Sequence, residues 1–478
     1  MKALPVVRFG EVYETSGKRE IYDCENQVMD EISLAIPLLF KTDIQRKSKV
    51  TSSKLRDTNT YQLVKWIKKA GEIFTTADLD IGGRVQSPEA YCISIAKVTG
   101  LPVHMCRNIL QDISNYMECI DDILLKQFRL NDLGVLDTFI TAHNGMNYAI
   151  VPKAEILCAV MPGNHPIVNM MWITAFAMKY PVIIKPSFDD PYTPLRLIYS
   201  LIEAGADREF FSYYPVGHSE VTELVKAAGY GIVFGGKDVK ELYKNLSWIQ
   251  VYGPGNSKMI VGRDCKAGID KIAEFAAESA LFHSGRACIS TSAVITENHG
   301  EELAAAIGKQ FSKIRPKDLN EDMARVGAVK DKQKAELMRE AIHKFLESGN
   351  FIDMTPETEI IEYLDNKAFL MPKVLYCKDI SDPVFGIEFS FPFIIVGEKQ
   401  EREWKDIIKS TLSCLVLSDN PKLVRELLLL PEVEKIYHGF VDSNRMDFGM
   451  PHNGFLSEFL YKYKAFKYPV EEEKLWLS

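Results

Sequence analysis

The sequence has no block of basic residues, no apolar run that could cross a bilayer and no cysteines in paired spacing. Each absence removes a class of function. The 57 Lys and Arg are outnumbered by 65 Asp and Glu, leaving a net charge of −8. There is thus no electrostatic footprint for nucleic acid. The most apolar helical segment, 167–178, falls short of the roughly 20 residues that a membrane helix needs, and it carries Asn169. No membrane span is expected. The opening residues Met1-Lys-Ala-Leu-Pro-Val-Val-Arg8 lack the apolar core of a secretory signal. Nine scattered cysteines argue for reduced thiols in the cytoplasm, and against a disulfide frame or zinc site. No metal site is expected. Neither a G-x-G-x-x-G nor a Walker A motif occurs, so neither common nucleotide fingerprint applies. No internal repeat or low-complexity tract is visible.

What is present is a chain of 478 residues with 46% hydrophobic content, enough for two or three domains with sizeable cores. Residues 1–60 have mixed character and carry no clear pattern. Helical patterns follow, at 61–74, from Ser87-Pro88 to about Gly100, and at about 103–128. These read as a surface layer. Strand-like runs at 135–141 and 148–151 flank Asn144-Gly145, a hairpin signal, and suggest a β-arm. From Glu155 a regular alternation begins: strands near 156–161, 182–185, 210–216, 231–234 and 249–252, with helices between them. That alternation predicts βαβ units and a parallel sheet. Such sheets bind ligands at the carboxyl ends of their strands. The turns there are Pro162-Gly-Asn-His165, Lys185-Pro-Ser187 and Gly235-Gly236-Lys237. A second alternation after Gly255 predicts a second α/β domain, with strands at 258–261, 291–296, 393–396 and 414–417.

Within the second alternation, a helical pattern at 266–282 runs into a Gly-containing loop that delivers Cys288 ahead of a strand. Rigid elements on both sides suit a nucleophilic thiol presented to a cleft. Taken by itself, the same pattern also fits a buried structural cysteine.

With these turns in view, the chain resembles the aldehyde dehydrogenase superfamily, and within it the LuxC-type long-chain acyl-CoA reductases, over roughly residues 130–470. Gly163-Asn164 occupies the place of the family's oxyanion-binding Asn. Lys185-Pro186-Ser187 matches the turn that contacts the adenine ribose. Phe234-Gly235-Gly236 matches the Phe-x-Gly turn near the pyrophosphate. Gly285-Arg-Ala-Cys288 matches the Gly-x-x-Cys loop of the catalytic thiol. Glu388-Phe-Ser-Phe-Pro392 matches the Glu that binds the nicotinamide ribose. Gly449-Met-Pro-His452-Asn-Gly454 is similar to the glycine-rich, His-containing end of LuxC-type chains.

Three departures stand out. The general-base Glu of hydrolytic members is missing, because the corresponding stretch is Tyr252-Gly-Pro-Gly-Asn256. The acidic residue that often follows Lys-Pro-Ser is Phe188. Arg286 stands where Gln is frequent, and reads either as a cation for the thiol or carrier or as a loop residue.

The resemblance implies an aldehyde dehydrogenase-like α/β fold with two parallel-sheet domains and a β-arm for oligomerisation. Residues 1–131 and 153–254 would form the cofactor-binding domain with its helical layer. Residues 255–448 would form the catalytic domain, and 132–152 and 449–478 the bridging elements. It implies NADPH-dependent reduction of a fatty acyl thioester, acyl-CoA or acyl-protein, to the aldehyde through an acyl-cysteine. Cys288, Asn164 and His452 would be catalytic. Lys185, Ser187, Gly235, Gly236 and Glu388 would bind the cofactor. An acyl-protein synthetase partner and a homo-oligomer are implied in the same way, whereas luminescence does not follow. Reduction of acyl phosphates or short acyl-CoA remains an alternative within this chemistry, and a non-reducing acyltransferase or scaffold subunit an alternative outside it. Part of the apolar stripe at Ile167, Met170, Met171 and 173–178 reads as helix–sheet core that could also line an acyl tunnel.

Overall fold

The computed structural model of the chain describes residues 3–143, 146–400, 403–442 and 448–467. The Asn144-Gly145 turn and the last eleven residues lie outside them. Two seven-stranded sheets organise the molecule. The first runs in the order Ile249–Tyr252, Gly231–Phe234, Leu157–Val160, Val182–Lys185, Phe211–Tyr213, Val6–Arg8, Glu11–Tyr13. Its first five strands are parallel. Leu-Cys-Ala-Val and Val-Ile-Ile-Lys are buried along their whole length, as strands covered by helices on both faces must be. The second sheet runs Phe351–Asp353, Lys373–Cys377, Phe393–Glu398, Ala293–Thr296, Lys258–Val261, Thr411–Leu417, Val433–His438. All but its first strand run parallel. A three-stranded arm joins Ile140–His143, Met146–Pro152 and Tyr461–Ala465. Two largely parallel sheets, each in its own α/β unit, and a β-arm are the architecture that the resemblance implies.

The differences have local causes. The predicted strand at 135–141 begins as a helical turn, Val135–Thr138, ended by Phe139 at φ 55°. The Asp137 carboxylate fixes it by accepting from Thr60 N, Thr60 Oγ1 and Lys179 Nζ. These partners are distant in sequence, so local pattern carries no trace of them. The single helix expected over 103–128 breaks at Cys119 into Val103–Glu118 and Ile120–Phe128. Residues 1–60 close the first sheet with two antiparallel edge strands and add a hairpin, Lys18–Tyr22 with Val28–Ser33.

The helical layer is more than a surface cover. Leu63, Ile67, Phe74, Ile113 and Met117 are fully buried in one cluster with Trp172, Phe176 and Leu197. Arg196 locks this packing. Its buried guanidinium donates to the carbonyls of Phe74 (3.1 and 3.0 Å), Ala77 (2.7 Å) and Gln86 (2.7 Å). Those carbonyls lie where helix Thr60–Thr76 ends and the next loop passes. Replacing Arg196 by Met keeps the stem and orphans three acceptors. The expected loss is about 3 kcal/mol or more, read as a lower urea midpoint. An unchanged midpoint would show that water satisfies those carbonyls.

Candidate active site

Helix Ile269–Leu281 stops at Phe282. His283, Ser284 and Gly285 then take left-handed dihedrals, with φ 45°, 60° and 69°. Three such residues in succession turn the chain sharply and bring Arg286-Ala-Cys288 into the cleft. Only glycine takes this region freely. At Gly285 there is a second constraint, since a Cβ would lie 2.4 Å from the Phe391 carbonyl carbon and Pro392 nitrogen. His283 and Ser284 have their strain offset by contacts. The His283 and His165 rings are hydrogen-bonded at 2.5 Å, and Ser284 Oγ accepts from Gly327 N at 2.7 Å. The two histidines form a buried pair that braces both turns.

Cys288 is held from the other side by the turn before strand Lys258–Val261. Its carbonyl accepts from Ser257 Oγ at 2.8 Å. A Cβ on Gly255 would sit 1.7 Å from that same oxygen, so residue 255 can only be glycine at this approach.

A cavity of about 1230 Å³ opens in front of the thiol, lined by Cys288, Asn164, His452, Glu388, Gly235 and Gly236 among others. Six of the eight expected site residues therefore share one space. Lys185 and Ser187 do not line it. Ser187 lies behind Gly163 and Asp189, which do, with its Oγ accepting from Asp189 N at 3.1 Å, and Lys185 Nζ lies 5.1 Å from the Phe188 ring centroid. His452 Nε2 is 3.9 Å from Cys288 Sγ. Asn164 Nδ2 donates to the Arg286 carbonyl at 3.2 Å, one turn from the thiol. Tyr116, Ile167, Val168, Met170, Met171 and Phe448 supply an apolar wall. Residues 173 and 175–178 of the apolar stripe are instead buried core.

The cavity disfavours charge. Burial, and secondarily the Glu388 carboxylate, push the Cys288 thiol up to about 12, against the pull of Lys435. Burial and Lys435 hold His452 down to about 3. Burial raises Glu388 to about 7, although its carboxylate accepts from Asn256 N at 2.5 Å and faces Lys258. The resting site thus holds a neutral thiol and a neutral imidazole. Arg286 serves the loop rather than the thiol. Its guanidinium donates to the Thr99 carbonyl and, at 2.8 Å, to the Ala328 carbonyl, which clamps the loop.

Sequence reasoning missed several residues that shape the site. Tyr116 belongs to a helix read as cover. Lys435 lies on an edge strand and gives no motif signal. Gly255 and Ser257 act through a backbone approach to Cys288, which the missing Glu of the Tyr252–Asn256 stretch does not signal. Tyr252 stacks on Phe234 at 5.0 Å, with the His452 ring at 6.1 Å, which is the packing role its type suggests.

The aldehyde dehydrogenase family model matches residues 129–418. A protein of Staphylococcus saprophyticus described as an aldehyde dehydrogenase is 21% identical over 268 residues, covering 54% of this chain and 54% of that one. Aldehyde dehydrogenase 1A1 of Homo sapiens is 28% identical over 149 residues, 29% of each chain. The chain spans about half the length, or less, of the curated relatives it matches. Among solved structures, a variant of aldehyde dehydrogenase C of Pseudomonas syringae, with NAD+ and octanal, superposes with a TM-score of 0.82 at 13% identity, covering 97% of this chain and 96% of that one. An NADP-dependent enzyme of E. coli gives 0.78 at 14%, covering 97% and 98%. The structural likeness speaks for the fold, and the family model, which covers well over half of the sequence, speaks for descent: the chain belongs to the aldehyde dehydrogenase family.

Proposed function

We propose that this protein reduces a fatty acyl thioester, carried on CoA or on a protein, to the fatty aldehyde with NADPH, through an acyl-Cys288 intermediate. The observation that carries the reading is what the Cys288 cavity contains. Nucleophile, candidate oxyanion donor and apolar wall share it, while the place of the hydrolytic general base holds the stacked Tyr252 ring. An enzyme without that base keeps its thioester long enough to reduce it.

The thiol is neutral at rest, so attack and proton transfer are coupled. His452 Nε2, at 3.9 Å, takes the proton as sulfur bonds to the acyl carbon. The same imidazole returns it to the departing carrier thiolate as the old C–S bond breaks. The oxyanion formed in between lies between the Asn164 amide and the Cys288 N–H. When bound, the reduced nicotinamide supplies hydride to the thioester carbonyl. Asn164 holds the resulting oxyanion again, and as the aldehyde forms and the C–S bond breaks Cys288 leaves as a thiol, protonated by a proton that His452 takes up from solvent.

Lys185, Ser187, Gly235, Gly236 and Glu388 would hold the dinucleotide. The strand ends fit one on their own terms. Lys185 is 4% exposed, and its ammonium has no hydrogen-bond or carboxylate partner among the described residues. Gly163 keeps open a space in which a Cβ would lie 2.5 Å from Ser187 Oγ.

A second reading, oxidation of a long-chain aldehyde to the acid, is favoured by one observation. Glu388 sits at about 7 beside the thiol, so it could activate water in place of the missing Glu.

Tetradecanoyl-CoA with NADPH is expected to give tetradecanal and, without NADPH, an acyl adduct visible by intact mass, both lost in Cys288→Ala. An adduct without any nicotinamide oxidation would favour an acyltransferase. Faster acid formation from tetradecanal with NADP+ would favour the second reading.

The Glu388 charge gives a separate test. Above pH 7 the carboxylate opposes thiolate formation; below it the carboxyl is neutral. Glu388→Gln is therefore expected to raise the rate of Cys288 alkylation by iodoacetamide about threefold at pH 9, equivalent to about half a pKa unit, and to leave it unchanged at pH 5.5. Equal rates at pH 9 would show that Glu388 does not reach the thiol.

A further inference from the structure

Asn164 reaches the cavity from the turn after strand Leu157–Val160 of the first sheet. Cys288 reaches it from the loop before strand Ala293–Thr296 of the second. Something must register one turn against the other. Asn164 itself is exposed, so packing does not fix its amide. Among the described residues its side chain has one hydrogen bond, the 3.2 Å contact with the Arg286 carbonyl. The next residue is held differently. His165 is 3% exposed, and its Nε2 meets His283 Nδ1 at 2.5 Å, with the ring centroids 4.5 Å apart.

The direction of that hydrogen bond follows from its surroundings. Ile167 N donates to His165 Nδ1 at 3.3 Å. That nitrogen is therefore bare, and the ring proton sits on Nε2. The Nε2–H donates to His283 Nδ1, which leaves the His283 proton on Nε2. An added proton has no place here. On His165 it would face the Ile167 N–H, and on His283 it would face the His165 N–H. Burial, the His283 ring and Arg286 hold His165 well below its ordinary value, and burial and His104 hold His283 down to about 4. The contact is thus a neutral hydrogen bond with one fixed direction. His283 passes it on to the thiol loop, because its carbonyl accepts from Arg286 N at 3.3 Å.

We infer that His165 and His283 are a positioning pair for acyl transfer, whose hydrogen bond sets the Asn164 amide at its working distance from the Cys288 sulfur. This rests on the acyl-Cys288 reading above. The Asn164 amide carries two N–H hydrogens. One is taken by the Arg286 carbonyl, and the other is left for the oxyanion. A 3.2 Å bond from an exposed side chain is a weak tether, whereas the buried pair holds the backbone next to it. The demand on that backbone is strict, since a misplacement of about 1 Å can cost about hundredfold in rate. Both His165 nitrogens are engaged, so this ring has none to offer a substrate and acts through its neighbour.

The test follows Cys288 acylation by para-nitrophenyl acetate, read as the burst of para-nitrophenolate that Cys288→Ala lacks. That step passes through an oxyanion and needs neither CoA nor a nicotinamide. His165→Phe keeps a ring and removes both nitrogens; His165→Leu serves if the phenyl ring does not fit. The burst is expected to slow about hundredfold, with the ester concentration at half-saturation unchanged. His165→Gln keeps a donor near Nε2, and His283→Asn keeps an acceptor near Nδ1 in a residue type that accepts the left-handed backbone there. Both are expected to retain most of the rate. In an Asn164→Ala background His165→Phe is expected to add no further loss, because it acts through that amide. Alkylation of Cys288 by iodoacetamide forms no oxyanion and is expected to keep its native rate in His165→Phe. A native burst in that variant, a loss that adds to that of Asn164→Ala, or a changed alkylation rate overturns the inference and leaves acyl transfer standing. A native burst without any reaction of tetradecanoyl-CoA overturns the carrier reading and leaves the pair standing. No burst in the native protein overturns both.

Discussion

The candidate site depends on one close approach, that of Gly255 to the carbonyl of Cys288. With the Ser257 hydroxyl on the same oxygen, it fixes the nucleophile's backbone against the root of a central strand of the second sheet. The other side of the loop is fixed by three left-handed residues and by Arg286, which reaches across to Thr99 and Ala328. The thiol is thus carried by backbone contacts on all sides rather than by its own side-chain partners. This leaves Sγ facing the cavity, with His452 Nε2 as a polar neighbour at 3.9 Å.

Rigid placement in a poorly solvated cavity has a chemical consequence. Three ionisable groups at the site are displaced towards neutrality: Cys288 upward, His452 downward, Glu388 upward. A thiolate formed in advance would lack stabilisation there. In the proposed reaction, charge develops only where donors await it, at Asn164 and the loop amides, and only while a substrate carbonyl carries it. A thiol held neutral in this way disfavours adventitious reaction, and the proposed acyl transfer would be coupled to substrate binding.

Much of this was legible in the sequence where function resides in a local motif. The order of the Asn164, Lys185, Gly235, Cys288 and Glu388 turns follows from strands and helices whose apolar patterns are strong, and the structure brings all but Lys185 to one cavity. What was not legible resides in contacts between distant segments. The helical turn at 135–138 is set by Thr60 and Lys179 through Asp137. The hairpin at 18–33 is half exposed and carries charged residues along its first strand, so its pattern resembles a loop, although its tip is anchored by Cys24 and Glu25. Lys435 and Tyr116 enter the cavity from elements with no motif at all. Local patterns can reveal residues that act through a turn's shape, but not those that act because another segment lies opposite.

The most direct test of the account is the fate of isolated acyl-Cys288. The protein would be loaded with tetradecanoyl-CoA, freed of excess donor, and followed by intact mass in buffer and after addition of NADPH. The account predicts an adduct that persists in buffer and disappears on addition of NADPH with release of tetradecanal. Loss of the adduct as tetradecanoic acid, at the same rate with or without NADPH, would contradict it and show that water reaches the thioester.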